Sequence, residues 1–257
     1  MVMTIGFIGS GSIATAMVKG LCTSDAPPER IIVSDKFKDK AETLASMFPH
    51  VEATDDNQEL LDKSNIVFVC VLPQIAPEVL MPLRFQKDHI VVTVVAIRPL
   101  EEMRSHLAPA ETVVRAIPLP SVAKHLGPVV YYPDVPEVRE LFGKMGTLVN
   151  VQSEHELVVL SGITALISPY YALLDTFLKV AIEAGVDENM AARYITSMFL
   201  ALTRLAEEAK GMGFRELADE AATPGGINEQ ALNEILEGNG NAVFASALKS
   251  ILTRLGI

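Results

Sequence analysis

Thr4-Ile5-Gly6-Phe7-Ile8-Gly9-Ser10-Gly11-Ser12-Ile13-Ala14 is an apolar strand running straight into a Gly-x-Gly-x-x-Ala turn. Gly9 allows the tight strand-to-helix bend, and Gly11 removes the Cβ that would keep a pyrophosphate off the backbone. The small Ala14 lets the next helix sit close on the strand. That helix, expected from Ser12 to Cys22, aims its free N–H groups and positive dipole end at the turn, so Ser10, Ser12 and Ile13 belong to the same loop. A second apolar strand, Ile31-Ile32-Val33, ends in Ser34-Asp35-Lys36. A tight turn with no ligand is the alternative. Strand, helix and acidic residue all fall where dinucleotide binding needs them.

Beyond this unit the first half alternates strands and helices. Helix is expected at Asp39–Met47, Ile75–Met81 and Leu100–Leu107. Strands are expected at Ile66–Val71, His89–Val95 and Thr112–Ile117, with Val129–Tyr131 and Leu148–Val151 extending the sheet at its edge. Runs such as Val91-Val92-Thr93-Val94-Val95 do not alternate, as a parallel strand covered on both faces requires. The fold class is α/β, with a doubly wound Rossmann-type sheet in residues 1–152. From Glu154 onward the spacing is helical. Helices are expected at Leu157–Glu183, Asn189–Lys210, Phe214–Asp219, Ile227–Leu236 and Ala242–Leu255, so residues 153–257 read as an all-helical domain.

The net charge of -11, from 21 basic and 32 acidic residues, argues against nucleic acid or an anionic membrane as partner. A phosphorylated cofactor then needs local help from backbone amides or a lysine. Cys22 and Cys70 read as buried thiols rather than a disulfide or metal pair. With no signal peptide expected, this places the protein in the cytoplasm. Leu157–Leu174 carries no charge over eighteen residues, the lower limit of a transmembrane helix. Gly162 and Pro169 interrupt it, and Asp175 and Lys179 follow. A helix buried against a symmetry mate is the preferred explanation, making the chain a homodimer or higher homo-oligomer.

Three segments carry the candidate chemistry. Asp35 stands where a carboxylate accepts hydrogen bonds from the adenosine ribose of NAD, while Ser34, Lys36 and Lys38 suit the 2′-phosphate of NADP, so the residues leave the cofactor open between the two. Val69-Cys70-Val71-Leu72-Pro73-Gln74 ends a strand at the carboxyl edge of the sheet. Pro73 is expected to stop the strand and start a helix, placing Val71, Pro73 and Gln74 beside the cofactor. In Ala222-Thr223-Pro224-Gly225-Gly226-Ile227-Asn228, Thr223 suits an N-cap and Pro224 the first helical position. Two glycines in a first turn cost about 1 kcal/mol each. That cost makes sense if their amides stay uncovered for a small anion such as a carboxylate.

Across nearly its whole length the chain resembles the pyrroline-5-carboxylate reductases. The resemblance is carried by Ile5–Ala14, Ile31–Asp35, Asn57, Val71-Leu72-Pro73-Gln74, Val114-Arg115-Ala116-Ile117-Pro118 and Thr223-Pro224-Gly225-Gly226. It implies an NAD(P)H-dependent reductase of a cyclic imine bearing a carboxylate, giving proline. It also implies Asn57 in the cofactor site, Pro169, Gly225 and Gly226 around the substrate, and an intertwined dimer. The differences lie on the substrate side. The family's Lys-Pro-Gln reads Leu72-Pro73-Gln74, its Met-Pro-Asn-Thr-Pro reads Ile117-Pro118-Leu119-Pro120-Ser121, and its Gly-Ser-Gly-Pro-Ala reads Leu166-Ile167-Ser168-Pro169-Tyr170. The threonine thought to protonate the imine nitrogen falls on Asn228, and an amide is a poor acid. Tyr170 is therefore expected as the acid, ahead of Tyr171 and Asp175, with Thr223 and Asn228 completing the catalytic set. A related imine reductase or dehydrogenase with another substrate, and a non-catalytic dinucleotide sensor, are the competing readings.

Overall fold

The computed structural model describes residues 3–36 and 39–257, which fall into two compact units, Met1–Ser161 and Gly162–Ile257. In the first unit β1 (Thr4–Ile8), α1 (Ser12–Cys22), β2 (Arg30–Ser34), α2 (Asp39–Met47), β3 (Val51–Thr54) and α3 (Asn57–Lys63) are followed by β4 (Ile66–Val69), α4 (Ala76–Leu80), β5 (Ile90–Thr93) and α5 (Leu100–Leu107). Then come β6 (Thr112–Pro118), β7 (Pro128–Tyr132), α6 (Pro136–Gly143), β8 (Thr147–Asn150) and α7 (Glu154–Ile163). The strands form one sheet in the order β3-β2-β1-β4-β5-β6-β7-β8, parallel throughout except where β6 meets β7. From β1 the chain runs outward through β2 and β3, then returns to lay β4 on the other flank of β1. This reversal leaves a crevice at the carboxyl ends of β1 and β4, the place where such sheets bind ligands.

Strand residues alternate between two cores. Phe7 and Phe68 stack at 4.7 Å on one face, with Met17 and Leu21 of α1 and Phe142 of α6 in the same buried cluster. Ile8, Val67 and Val69 point to the other face and join Leu60 and Leu61 of α3 and Leu107 of α5. Covering both faces explains why the central strands read as unbroken apolar runs.

Several boundaries differ from the sequence expectation. β3, α3 and α6 are additional elements. β4 ends at Val69 rather than Val71, and β5 spans Ile90–Thr93 rather than His89–Val95, because each strand pairs only where its neighbours extend. Pro73 does not start a helix. The chain turns over Leu72–Ile75, and α4 begins at Ala76 with its own proline, Pro77, in the first turn.

The second unit contains α8 (Ile167–Glu183), α9 (Glu188–Glu208), α10 (Phe214–Ala221), α11 (Ile227–Glu237) and α12 (Gly240–Arg254). The helix expected over Leu157–Glu183 is broken by a 3-10 turn at Thr164–Leu166. Pro169 accounts for this, since its ring crowds the carbonyl four residues back, at Ala165, and it has no N–H to give. Phe177 stacks on Phe199 at 5.9 Å and Tyr170 meets Phe199 edge-on at 6.0 Å, tying α8 to α9. Only Ala191 and Ile195 of α9 are buried, while Tyr171, Val180, Leu200, Leu202 and Leu205 stay exposed in the single chain. By length and composition the stretch Glu154–Glu183 is apolar enough to cross a membrane, and little of it is buried within one chain.

One carboxylate ties three elements of the first unit together. Glu154, opening α7, accepts from the buried Arg115 of β6 at 2.5 Å and from the Leu100 amide at the start of α5 at 2.7 Å. Glu154→Ala leaves the guanidinium buried without its counter-charge. The expected loss is about 3 kcal/mol, the low end for removing one partner of a buried pair, because Glu154 is itself partly exposed. Urea unfolding checks this, and a loss below about 1 kcal/mol would reduce the pair to an ordinary surface ion pair.

Candidate functional site

The Gly-rich turn sits on the crevice between β1 and β4. Gly9 has φ +98 and its N–H donates to the Ser34 carbonyl at 3.1 Å. A Cβ on Gly9 would lie 2.7 Å from the Cys70 carbonyl oxygen. The protein itself therefore demands glycine there. Gly11 is different. It is extended, at φ -62 and ψ 179, and among the described residues a Cβ added to it would come no closer than 4.0 Å to any protein atom outside its neighbours. No close contact among the described residues demands glycine at position 11, whereas a ligand lying against the backbone would. As N-cap of α1, Gly11 brings no side chain to cover the first-turn amides around Ser12 and Ile13, and no acidic residue occupies that turn. The cradle fits a pyrophosphate.

Ser10, Ser34, Asp35 and Asn57 come together beside this turn. The buried Ser10 hydroxyl donates to Asp35 Oδ2 at 2.6 Å, Ser34 Oγ donates to Asn57 Oδ1 at 2.5 Å, and the Asp35 amide donates to the Thr54 carbonyl at 3.2 Å. Asn57 opens α3, whose N-cap Asp56 accepts from the Gln58 and Glu59 amides. Lys36 is exposed, and Lys38 lies outside the described residues. Because β3 pairs with β2 in register Ser34↔Thr54, Asp55 and Asp56 follow directly beside Asp35. Sequence reasoning missed them with β3 itself. The Asp-x-x-Glu spacing of Asp56 and Glu59, a helix-start signal, would have located them.

Val71, Pro73 and Gln74 lie in the turn after β4, extended by one further ladder bond from the Cys70 amide to the Ile8 carbonyl at 2.8 Å. The Pro73 carbonyl accepts from Arg98 at 3.0 Å, and Arg98 also pairs with Glu102. Arg98 follows Ile97, a β-branched residue at φ +64, and this link between two sheet-edge loops was not legible from the sequence. Cys22 and Cys70 are free and partly buried. Burial pushes the Cys22 thiol up to about 12 and raises Cys70 as well, so both stay protonated and unreactive at neutral pH. Among the described residues no His, Cys, Asp and Glu side chains cluster as a metal site.

The residues expected to be catalytic or to frame the substrate, Pro169, Tyr170, Thr223, Gly225, Gly226 and Asn228, lie in the second unit. Pro169 and Tyr170 stand in the exposed first turn of α8, and Tyr170 packs at 5.6 Å on Tyr171. Asp175 is paired with Lys179 at 2.6 Å. Thr223 is not the cap expected of it, and Pro224 does not open a helix. Both lie in a turn between α10 and α11, and Gly226 is the N-cap of α11. The glycines answer to the backbone of that turn. Gly225 has φ +73, and a Cβ on Gly226 would lie 2.8 Å from the Thr223 carbonyl. The Gly226 amide donates to Thr223 O at 2.8 Å, the Gly225 amide to Glu229 Oε2 at 2.8 Å, and Asn228 Nδ2 to Ala221 O at 3.2 Å.

Two family models match separate parts of the chain. Residues 4–97 match the family described as "NADP oxidoreductase coenzyme F420-dependent", and residues 155–256 match "Pyrroline-5-carboxylate reductase dimerisation". The chain is 24% identical over 260 residues to the pyrroline-5-carboxylate reductase of Haemophilus influenzae, covering 97% of this chain and 95% of that one. The fold is that of the Coxiella burnetii pyrroline-5-carboxylate reductase, with a TM-score of 0.87 at 22% identity over 100% and 98% of the two chains. It is also that of the Plasmodium falciparum pyrroline carboxylate reductase solved with NADP bound, with a TM-score of 0.85 at 14% identity over 98% and 97%.

The two turn glycines separate fold from ligand. Gly11→Val should keep the parent's melting temperature and lose NAD(P)H affinity, whereas Gly9→Ala should unfold at lower temperature, having about 1–3 kcal/mol of backbone strain to carry. Thermal scans beside a fluorescence titration with NADH and NADPH check both, and a Gly11→Val protein that still binds would remove the dinucleotide assignment. In the same titration Lys36→Ala should weaken NADPH more than NADH, and Asp35→Ala the reverse. Equal effects on the two cofactors would place both side chains away from the ribose.

Proposed function

We propose that this chain, an NAD(P)-dependent oxidoreductase similar to the pyrroline-5-carboxylate reductases, is a member of that family and reduces the C=N bond of a small cyclic imine of the 1-pyrroline type. Reduction of 1-pyrroline-5-carboxylate to proline is the reaction to assay first, because the relatives carry that substrate's name. The observation that carries the cofactor half of the reading is Gly11, where the fold leaves room for a ligand against the backbone. Gly9, Ser10, Gly11, Ser12 and Ile13 hold the pyrophosphate, Ser34, Asp35, Lys36 and Asn57 the adenosine ribose, and Val71, Pro73 and Gln74 border the cofactor at the sheet edge. NAD(P)H supplies the hydride that adds to the imine carbon.

The nitrogen that gains the electron pair needs a proton, and the chain's own residues must deliver it. Asn228 can hydrogen-bond the nitrogen but cannot give up a proton at useful rate. Tyr170 carries a hydroxyl, so it serves as the general acid, with Pro169, Thr223, Gly225 and Gly226 framing the ring. The dimerisation match over residues 155–256 supports a homo-oligomer, and a dimer that covers the exposed faces of α8 and α9 accounts for their apolar residues.

Oxidation of NADH and NADPH is followed with 1-pyrroline-5-carboxylate and with carboxylate-free 1-pyrroline. Turnover of either supports the reading, and tight cofactor binding with neither consumed would make the protein a dinucleotide sensor instead. Tyr170→Phe should lower turnover about 10²- to 10⁴-fold with cofactor affinity kept. A variant as fast as the parent would hand the proton to water or another group.

A further inference from the structure

The turn between α10 and α11 is the part of the chain read from sequence as a cradle for a substrate carboxylate, yet its donors are spent. The Thr223 amide donates to Ala221 O at 3.2 Å, Pro224 has no N–H, and the Gly226 amide donates to Thr223 O at 2.8 Å. The one remaining turn amide, Gly225, donates to Glu229 Oε2 at 2.8 Å. Glu229 therefore puts this chain's own carboxylate where a ligand's would sit. Lying in the first turn of α11, it also offsets the positive end of that helix.

The surrounding charge points the same way. Between Phe214 and Glu237 the sequence carries six acidic residues, Glu216, Asp219, Glu220, Glu229, Glu234 and Glu237, against Arg215 alone. Arg215 is already paired with Asp219 at 2.8 Å. An anionic substrate entering here meets a second carboxylate and no unpaired cation from this segment, and like charges at short range repel. A neutral imine, or its protonated iminium form, meets no such penalty.

We propose that Glu229 closes the Thr223–Gly226 turn to carboxylate-bearing ligands and directs the enzyme to cyclic imines that lack an acid group. This deepens the imine-reductase reading and rests on it. The reaction is unchanged in its balance: hydride to the imine carbon, a proton to the nitrogen, and NAD(P)H oxidised to NAD(P)⁺. Only the substituent on the ring differs.

The test compares kcat/KM for 1-pyrroline and for 1-pyrroline-5-carboxylate in the full-length parent, Glu229→Gln and Glu229→Ala, with NADH affinity and melting temperature measured beside them. The parent should favour 1-pyrroline at least tenfold. The ratio of the acid-bearing to the acid-free imine should rise about tenfold in Glu229→Ala, which frees both the amide and the charge. It should rise less in Glu229→Gln, which keeps an acceptor oxygen on the Gly225 amide. A parent that prefers 1-pyrroline-5-carboxylate, or a ratio unmoved in both variants, overturns the role of Glu229 and leaves the reductase reading standing. If every protein binds NADH and none reduces either imine, the reductase reading falls and this inference with it.

Discussion

The close approach of Gly9 to the end of β4 is the constraint on which the nucleotide-binding unit depends. Its N–H reaches the Ser34 carbonyl at the end of β2, while its missing Cβ leaves room for the Cys70 carbonyl at the end of β4. Three neighbouring strand ends are thereby held against one residue. The direction of α1, the position of Asp35 and the mouth of the crevice all follow from that point. Ser10 then adds its bond to Asp35, so the carboxylate at the end of β2 is set by the same turn that sets the helix. A single glycine conformation thus couples the strand order of the sheet to the geometry of its ligand edge.

The parts of the fold that the sequence reveals are those where one physical demand dominates. α1, α2 and α5 are read to the residue, because strict periodicity or a capping turn leaves no competing pattern. β3 escapes because it is an edge strand of four residues, Val51-Glu52-Ala53-Thr54, in which only Val51 and Thr54 are buried. α6 escapes although Val138, Leu141 and Phe142 sit at helical spacing behind Pro136, a spacing that marks a helix start. The turn after α10 fails for a different reason. Thr-Pro-Gly-Gly suits a helix start by residue preference, but Gly225 at φ +73 cannot belong to one, and the choice between the two is made by backbone geometry that residue preference does not encode. Of the candidate site, the glycines are legible as turn motifs and Asp35 by its place at the end of β2. The partners that tune them, Thr54 with Asp55 and Asp56, and Glu229 on the Gly225 amide, are set by strand register and side-chain reach.

The chain's excess of negative charge and its binding of an anionic dinucleotide stand in apparent conflict, and distance resolves it. At physiological salt a charge is largely screened beyond about 8 Å, so a phosphate answers to what lies within one or two residues of it and hardly to the whole surface. Within that radius α1 places no acid in its first turn and leaves its amides uncovered behind Gly11. The turn before α11 is built the opposite way, with its amides bonded inside the chain and acids on both flanking helices. Both turns precede a helix and both contain two glycines, yet only the second has a carboxylate reaching into it. The same local motif therefore carries no acid in the first turn of α1 and one in the first turn of α11. What separates them is a side chain, Glu229, that reaches back to the Gly225 amide, where α1 has only Ala14 at the same position of its first turn.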